Sequence, residues 1–236
     1  MATLIPTATP VRIDHESTLN VAPPSCAECS EWCRYFEDLY HDAAGDAGRI
    51  PWSDNRPNAV LQAWLNSEAP SLIRPGATAC VVGCGLGEDT KELNERGYDV
   101  LGFDVSSTAV QWARRRHPAI PDRFVVADLF RLPPSLPRRW DLVVEINTLQ
   151  AIHPDLRPAA AAGIASLARP RGVVLTICRG RDEHDPLPPL PPFALSQREL
   201  TDLFAPHGLL PLRAADDFLD DQSPPVRRLR CAFKRG

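Results

Sequence analysis

The residues of this chain best suited to chemistry are three alternating glycines and the acids that follow them. Gly83 to Gly87 reads GCGLG, and Glu88 and Asp89 come directly after it. Because glycine has no Cβ, such a turn lets the backbone approach a bound molecule closely. Asp104 stands 21 residues beyond Gly83, close to the ~20 residues at which an acid accepts hydrogen bonds from a ribose diol. The pattern predicts a nucleoside-binding site.

The elements that must position these residues can be read around them. Residues 79–82 form a short apolar run, Glu88–Arg96 has helical character and ends at Gly97, and Val100–Phe103 is a second apolar run that leads to Asp104. This order predicts strand, turn, helix and strand. In such a βαβ unit the glycine turn and the acid both lie at the carboxyl ends of parallel strands, where ligands bind.

The glycine spacing also bears on which ligand is expected. A dinucleotide site reads G-x-G-x-x-G and sets a helix N-terminus against a pyrophosphate, whereas this chain has G-x-G-x-G followed by acids. Acids at a helix start repel a phosphate and tolerate a cation. S-adenosylmethionine (SAM) has a ribose, an adenine and a sulfonium cation but no phosphate, so it is the predicted ligand. A ligand-free turn and an NAD-dependent Rossmann enzyme are the alternatives, the second disfavoured by spacing and acids.

Composition narrows the class of protein. The chain has 236 residues, enough for one α/β domain, and a net charge of −4, which argues against a nucleic-acid partner because such proteins usually carry a basic face. No apolar run approaches the ~20 residues of a membrane span, and the N-terminus lacks a signal-peptide pattern. We therefore expect a cytoplasmic protein without a membrane or nucleic-acid partner. Its seven cysteines are expected to be reduced. Whether the protein is a monomer or a dimer is left open.

The sequence divides into a tail and one domain. Residues 1–25 contain four prolines without a regular period, and we expect a flexible tail or a surface arm. Residues 26–236 are expected to form a single domain. It opens with a helix over Cys26–Ala44, whose aromatic residues recur at helical spacing. Cys26, Cys29 and Cys33 share this helix. We interpret them as ordinary thiols rather than a metal site, because no fourth ligand stands at a supporting spacing.

Further helices and strands are predicted downstream. Ser106 and Ser196 are predicted helix N-caps, the second with Glu199 completing a capping box. The predicted helices are Pro57–Ser67, Ser106–His117, Asp155–Ala168 and Ser196–Ala205. The predicted strands are Arg123–Ala127, Asp141–Ile146, Arg171–Cys178, Leu209–Asp216 and Val226–Lys234. Five prolines make Asp185–Phe193 a rigid loop.

Several stretches resemble the class I SAM-dependent methyltransferases. Beside the glycine turn, Val125–Leu129 (VVADL) ends a strand with an acid, Trp140–Glu145 (WDLVVE) is similar to the strand that lines the methionine end, and Leu167–Val173 resembles the "L-x-P-G-G" approach to strand five, with Arg171 in place of its first glycine. The resemblance implies a Rossmann-like α/β fold: a seven-stranded, mostly parallel sheet of order 3-2-1-4-5-7-6, helices on both faces and an N-terminal helical lid over residues 26–70.

Within this class the chain resembles the thiopurine and halide/thiol methyltransferases from about Trp32 to Arg213. The stretches that carry the resemblance are Phe36–Tyr40 with Pro51-Trp52, Leu149–Pro158, and Pro192–Leu200. Phe36 and Ser53 depart from the family's tryptophan and aspartate, and an Ala/Gly-rich insertion precedes Pro51. The resemblance implies methyl transfer from SAM to a small molecule, most simply a thiol. An oxygen or nitrogen acceptor in a natural product, and a SAM-binding protein without catalysis, remain the alternatives.

The resemblance also assigns expected roles. The residues expected to bind SAM are Trp52, Gly83, Cys84, Gly85, Gly87, Asp104, Val105, Asp128, Leu129, Phe130, Glu145 and Asn147. The acceptor is expected to contact Phe36, Tyr40, Asn147 and Gln150. Candidate catalytic residues are His153, as a base, and Tyr40. The plainer alternatives are a core tryptophan at 52, helix packing at 36 and 40, a salt bridge at Glu145, a loop histidine at 153 and a small filler at Cys84.

Overall fold

The computed structural model describes the backbone from residue 27 and the side chains from residue 32, in both cases to residue 236. The predicted tail over residues 1–25, Cys26, and the side chain of Cys29 lie outside the described residues. The division into a tail and one domain therefore stays a prediction.

The described chain alternates strands with helices through its first two thirds. The helices are α1 Ala27–Ala43, α2 Ala59–Ser67, α3 Ala69–Leu72, α4 Glu88–Glu95, α5 Ser107–Arg116, α6 Thr148–Ala151, α7 Arg157–Leu167 and α8 Gln197–Phe204. The strands are β1 Thr78–Val82, β2 Asp99–Asp104, β3 Phe124–Val126, β4 Trp140–Ile146, β5 Ala168–Arg179, β6 Leu209–Pro211, β7 Asp216–Leu219 and β8 Arg227–Arg235. Among the residues described here, no helix is long and apolar enough to cross a bilayer.

The strands form one sheet of order β3-β2-β1-β4-β5-β8-β6, with β7 also pairing with β8. The strands β1 to β5 are parallel, and β8 runs antiparallel to β5. The predicted Rossmann-like fold and strand order are confirmed, with β8 in the place of the predicted last strand.

The strand count differs from the prediction by one. The predicted strand Leu209–Asp216 is divided into β6 and β7, because the chain bends after Leu212. The chain leaves the strand at Arg213, whose guanidinium forms ion pairs with Glu68 at 2.8 Å and with Asp216. The two short strands then share the length of β8, β6 near its end and β7 near its start.

Alternation along β4 builds the two halves of the core. Val143 packs on the face covered by α6, α7 and α8, while Leu142 and Val144 pack on the face covered by α2, α4 and α5. Every residue from Trp140 to Glu145 is buried, as expected for a central parallel strand covered on both faces. The carboxyl ends of β1 to β5 therefore emerge together at one edge.

Two predicted serine caps are confirmed. Ser106 Oγ accepts the N–H of Ala109 at 3.0 Å, and Ser196 Oγ accepts the N–H of Glu199 at 3.1 Å. The capping box at Ser196 is only half formed, because the Glu199 carboxylate pairs with Arg157 and Arg181 instead. These ion pairs tie α7 and the loop after β5 to the start of α8.

Candidate functional site

A cavity of about 400 Å³ opens at the carboxyl edge of the sheet. Its floor is formed by the segments that follow β1, β2, β3, β4 and β5, and its roof by α1, the segment around Trp52 and part of the proline-rich loop. This is the crevice where open parallel sheets bind ligands. Most of the predicted site residues line it: Phe36, Tyr40, Trp52, Gly83, Cys84, Gly85, Asp104, Val105, Asp128, Leu129, Phe130, Asn147 and Gln150.

Two glycines of the turn leave room that a side chain would fill. Gly83 and Gly85 have φ of +61° and +52°. A Cβ at Gly83 would lie 2.6 Å from the Thr148 hydroxyl, and one at Gly85 would lie 2.9 Å from the Tyr40 hydroxyl. Both the backbone conformation and the space therefore require glycine, and the turn presents bare backbone to the cavity.

Gly87 was predicted to bind SAM, but it does not line the cavity. It precedes α4 with φ of +93°, and a Cβ there would lie 2.7 Å from the Phe124 ring and 2.9 Å from the His117 ring. Close packing of the turn against β3 and α5, rather than contact with a ligand, is what requires glycine here. Cys84 does line the cavity, and burial holds its pKa well above the usual range, so it stays a protonated thiol.

Asp104, at the end of β2, holds the glycine turn in place. Its Oδ2 accepts the N–H of Gly85 at 2.9 Å and its Oδ1 accepts the N–H of Ser106 at 2.9 Å. Burial raises the pKa of this carboxyl, while the two backbone hydrogen bonds oppose the rise. Each carboxylate oxygen can accept a further hydrogen bond, so Asp104 can face a ligand while it fixes the turn.

Asp128 follows β3 and offers an unused acceptor. Its Oδ1 accepts the N–H of Phe130 at 2.8 Å. Its Oδ2 is buried and has no hydrogen-bond partner among the described residues. Such an atom costs free energy unless a ligand or water satisfies it. Leu129 and Phe130 are buried beside it and line the same part of the cavity.

Four aromatic side chains, Trp32, Phe36, Tyr40 and Trp52, form what we call the aromatic lid. The Trp52 ring stands edge-to-face with Phe36 and Tyr40, with both centroids 6.0 Å away, and its Nε1 donates to the Tyr40 hydroxyl at 3.0 Å. Trp52 is 38% exposed, so it is a cover over the cavity and not a core tryptophan. Burial raises the pKa of Tyr40 well above its usual value, which keeps its hydroxyl protonated.

The segment after β4 supplies Asn147 and Gln150. Asn147 has φ of +65°, and its Oδ1 is buried without a hydrogen-bond partner among the described residues. Gln150 is a brace, since its Oε1 accepts the N–H of Arg179 and its backbone carbonyl accepts the N–H of Phe193 at 2.7 Å. The strained Asn147 is thus the more available of the two for a ligand.

Two predicted site residues, Glu145 and His153, do not line the cavity. Glu145 is fully buried beneath α6, where its Oε1 accepts the N–H of Leu149 at 2.9 Å, and burial raises its pKa to about 7. His153 caps a short 3₁₀ helix through its Nδ1, which accepts the N–H of Asp155 at 3.4 Å, and its ring contacts Phe193. Both side chains therefore lie apart from the cavity in which they were predicted to act. The predicted salt bridge at Glu145 is also absent among the described residues.

Sequence reasoning missed three arginines of the cavity, Arg56, Arg179 and Arg228. Arg179 ends β5 and Arg228 lies near the start of β8, directly opposite it in register. The rule that singled out Asp104, a polar residue at the carboxyl end of a parallel strand, applies equally to Arg179. We call Arg179 and Arg228 the arginine end of the cavity. Its opposite, the acidic end, consists of Glu88, Asp89, Asp104 and Asp128.

Comparison with known proteins agrees with this architecture. Residues 80–172 match the family model of a methyltransferase domain. The chain superposes with a TM-score of 0.67 on the 1,6-didemethyltoxoflavin-N1-methyltransferase of Burkholderia thailandensis, over 91% of this chain and 93% of that one at 22% identity, which shows a common fold. Fold, cavity and domain match together define a class I SAM-dependent methyltransferase, and SAM is the methyl donor.

The chain is also similar to two plant proteins that are named as thiol and thiocyanate methyltransferases. The chain is 28% identical over 178 residues to the probable thiol methyltransferase 2 of Arabidopsis thaliana, covering 74% of this chain and 75% of that protein. It is 27% identical over 187 residues to the thiocyanate methyltransferase 1 of Brassica oleracea, covering 74% and 76%. The names of these relatives describe their own methyl acceptors and do not identify the acceptor of this chain.

The cavity fits SAM chemically. Bare backbone at Gly83 and Gly85 can approach the ligand, and the unpartnered oxygens of Asp128 and Asn147 can accept from its N–H groups. The acidic end and the faces of the aromatic lid suit a cation. The prediction of SAM from the glycine turn and the following acids is therefore confirmed.

Proposed function

We propose that this methyltransferase transfers the methyl group of SAM to the sulfur of a small thiol. The observation that carries the proposal is the placement of the two candidate catalytic residues. His153 faces Phe193 outside the cavity, and the Tyr40 hydroxyl is held protonated by burial. A thiol with a pKa near 8.5 is partly thiolate at neutral pH, so it needs no such base, whereas a hydroxyl does. The thiol and thiocyanate methyltransferases among its relatives support the same choice.

We assign donor binding to the segments after β1, β2 and β3. Backbone groups of Gly83 and Gly85 would meet the methionine portion, Asp104 the ribose hydroxyls, and Asp128 with Leu129 the adenine. Two features support this assignment: the glycines admit no side chain, and Asp128 presents an unused oxygen. Cys84, Val105 and Phe130 would complete the walls by packing.

We assign the aromatic lid to the sulfonium and to the exclusion of water. An aromatic face attracts a nearby cation by about 0.5–2 kcal/mol. Trp52 is held for this role by its hydrogen bond to Tyr40 and by its contact with Phe36. Phe36, Tyr40 and Asn147 would then lie between the donor and the acceptor, where the nucleophile must be aligned. The side chain of Gln150 stays bonded to the backbone of Arg179.

The chemical work of the protein is mainly positioning. SAM supplies, when bound, a methyl group that its positive sulfur has already activated. The acceptor thiolate attacks in line, so that its new S–C bond forms as the donor's S–C bond breaks and the bonding electrons neutralise the sulfonium. The thiol proton leaves for solvent before the attack. The lid and the floor hold the reacting atoms in line, which is where most of the rate enhancement of such a reaction originates.

A panel of matched acceptors tests the proposal. Release of S-adenosylhomocysteine (SAH) would be measured with small thiols and with alcohols and amines of the same skeleton, for the wild type and His153→Ala. We expect turnover of thiols, and the same turnover in the variant, because His153 lies outside the cavity. Loss of thiol turnover in His153→Ala at unchanged SAH affinity would contradict the proposal.

One observation supports a second class of acceptor, an alcohol or an amine. Asp89 lines the cavity, and burial raises its pKa to about 6, which is suitable for a general base. Its Oδ1 accepts the N–H of Asn58 at 2.7 Å, which ties it to the start of α2. Turnover of an alcohol or amine that disappears in Asp89→Asn, with none of the matched thiol, would replace thiol methylation by oxygen or nitrogen methylation.

A further inference from the structure

The arginine end and the acidic end of the cavity lie over different strands along the same edge of the sheet. Arg179 is the last residue of β5, and β4 alone separates β5 from β1 and its glycine turn. Adjacent strands lie about 4.8 Å apart, so the strand carrying Arg179 is roughly 10 Å from the strand carrying the turn. That is the span of a small molecule whose reacting atom meets the donor while its other end reaches Arg179.

The two arginines of this end differ in what neutralises them. Arg228 is buried, and its Nε donates to Asp220 Oδ2 at 2.7 Å. Asp220 also accepts the N–H of Val226 at 2.8 Å through its other oxygen, so this pair is closed. The Arg179 guanidinium makes no hydrogen bond or ion pair with any residue that the structure describes. The carboxylate of Asp220 is hydrogen-bonded to Arg228, so Arg179 has no hydrogen-bonded or ion-paired carboxylate among these residues.

The position of Arg179 is fixed by its backbone. Its N–H donates to Gln150 Oε1, and its carbonyl accepts the N–H of Leu195 at 2.9 Å. The guanidinium is half-buried, and its pKa is lowered by burial and by the neighbouring Arg228, while the charge of Asp220 opposes the fall. A cation that is desolvated, held on a strand end and left unpaired is expected to bind an anion.

We propose that Arg179 binds a carboxylate of the methyl acceptor, so that the substrate is a small thiol acid whose carboxylate and sulfur are a few bonds apart. This inference rests on the proposed function. A single carboxylate fits better than a phosphate because one positive charge is unpaired and because a planar guanidinium matches two carboxylate oxygens. Apolar and amide side chains that line the same cavity suit the short body of such a molecule: Ile152, Pro191, Pro192, Gln150 and Gln222.

Matched thiols test the inference by kinetics. Rates of SAH release would be recorded over a range of concentrations of a thiol acid, mercaptopropionate, and of its neutral amide, mercaptopropionamide. The proteins compared would be the wild type, Arg179→Gln and the control Arg198→Gln, whose arginine is exposed on α8 outside the cavity. We expect Arg179→Gln to raise the KM for the acid by about 10- to 100-fold, as for a hydrogen-bonded charge, and to leave that for the amide unchanged. Arg198→Gln should change neither.

A binding measurement gives a result that does not depend on turnover. Propionate, which lacks the thiol, would be titrated calorimetrically into the SAH complex of each protein, after SAH itself. We expect propionate to bind the wild type and Arg198→Gln but not Arg179→Gln, while all three bind SAH equally. Weaker SAH binding by Arg179→Gln would assign the arginine to the donor and overturn the inference.

The remaining outcomes separate this inference from the proposed function. An equal rise in KM for both thiols would mean that Arg179 acts on the sulfur itself, and the carboxylate site would be wrong while thiol methylation stands. Equal use of both thiols by the wild type would overturn the inference in the same way. Absence of turnover with every thiol, but Arg179-dependent binding of propionate, would contradict the proposed function and leave the carboxylate site supported.

Discussion

Asp104 combines two tasks in one side chain. Its two oxygens accept the N–H groups of Gly85 and Ser106, which fixes both the glycine turn after β1 and the start of α5. The same carboxylate is the group we assign to the ribose. Loss of its charge should therefore weaken donor binding in two ways, directly and through the shape of the turn.

The variant Asp104→Asn isolates this effect, since one oxygen is replaced by an amide nitrogen that must face a backbone N–H. We expect SAH to bind at least about tenfold more weakly, because hydrogen bonds to a charged group contribute about 1.5–3 kcal/mol. Titration calorimetry would measure the dissociation constant. Asp99→Asn, at the exposed opposite end of β2, is the matched control, and equal affinities of the two variants would contradict the assignment.

Glu145 makes folding stability depend on pH. Burial raises its pKa from an ordinary 4.5 to about 7, so the folded state binds the proton more tightly than the unfolded state. Its contribution to stability is complete below pH 4.5 and is lost as the pH rises through about 7. Glu145→Gln cannot ionise, yet it keeps an oxygen for the N–H of Leu149.

We therefore expect Glu145→Gln to be more stable than the wild type at pH 8, on the order of 1–3 kcal/mol. At pH 5 the difference should be much smaller, about a quarter of its value at pH 8. Urea unfolding of both proteins at the two pH values measures it, and the comparison cancels Asp89, which titrates in the same window. A variant less stable than the wild type at pH 8 would show that the ionised form of Glu145 is the stabilising one.

At the residue scale, sequence reasoning succeeded where position along a strand decides and failed where a short helix intervenes. Asp104 and Asp128 were placed at the cavity because Asp104 ends β2 and Asp128 lies two residues beyond β3. Glu145 is the sixth residue of β4 and points to the same face as Val143, under α6. The four residues of α6 were not predicted, since a single turn has no visible period, and that turn carries His153 past the cavity.

At the scale of elements, the N-terminal helix is held over the cavity by its own contacts. Tyr40 and Ala43 pack with Leu86 and Trp112 in a small separate core. Glu37 accepts from the hydroxyl of Thr108 at 2.5 Å and from its N–H at 3.3 Å, which fastens α1 to the start of α5. Asp104 fixes the start of α5, and α5 in turn holds α1, which carries three of the four residues of the aromatic lid.

Substitution of Trp52 tests whether the aromatic lid binds the sulfonium. Trp52 is partly exposed, so its replacement should not impair folding. We expect Trp52→Ala to weaken the binding of SAM more than that of SAH, by about 2- to 30-fold, since a cation–aromatic contact contributes about 0.5–2 kcal/mol and only SAM is cationic. Trp52→Phe keeps an aromatic face and should retain most of this preference. Calorimetric titration of both ligands measures it, and equal losses of SAM and SAH would contradict the role.

The elements themselves were predictable to different degrees. The helices α5 and α8 begin after the predicted serines because a serine cap is a local signal. The division between β6 and β7 was not predictable, because it depends on the ion pair of Arg213 with Glu68, 145 residues away. The half-formed capping box has a similar cause, since distant arginines take the carboxylate of Glu199.

At the scale of the whole molecule, the net charge of −4 conceals a division of charge along one cavity. Acids gather where the first three parallel strands end, and two of the three arginines that line the cavity lie where β5 ends and β8 begins; the third, Arg56, is exposed and precedes α2. Composition could not reveal this, because it depends on which strands are neighbours. The parallel strand order predicted from the resemblance was sufficient to place the donor site. The pairing of Arg228 with Arg179 across antiparallel strands was not predicted and is known only from the structure.

One acceptor tests the central claim most directly: 2-mercaptoethanol, which offers a thiol and a hydroxyl in the same molecule. The purified protein would be incubated with SAM labelled with ¹³C in its methyl group, and the product would be identified by NMR. We predict that the label appears on sulfur, because a thiol is partly ionised at neutral pH and a hydroxyl is not. Label on oxygen, or turnover of small alcohols or amines with no turnover of any small thiol while SAM is bound, would contradict the account.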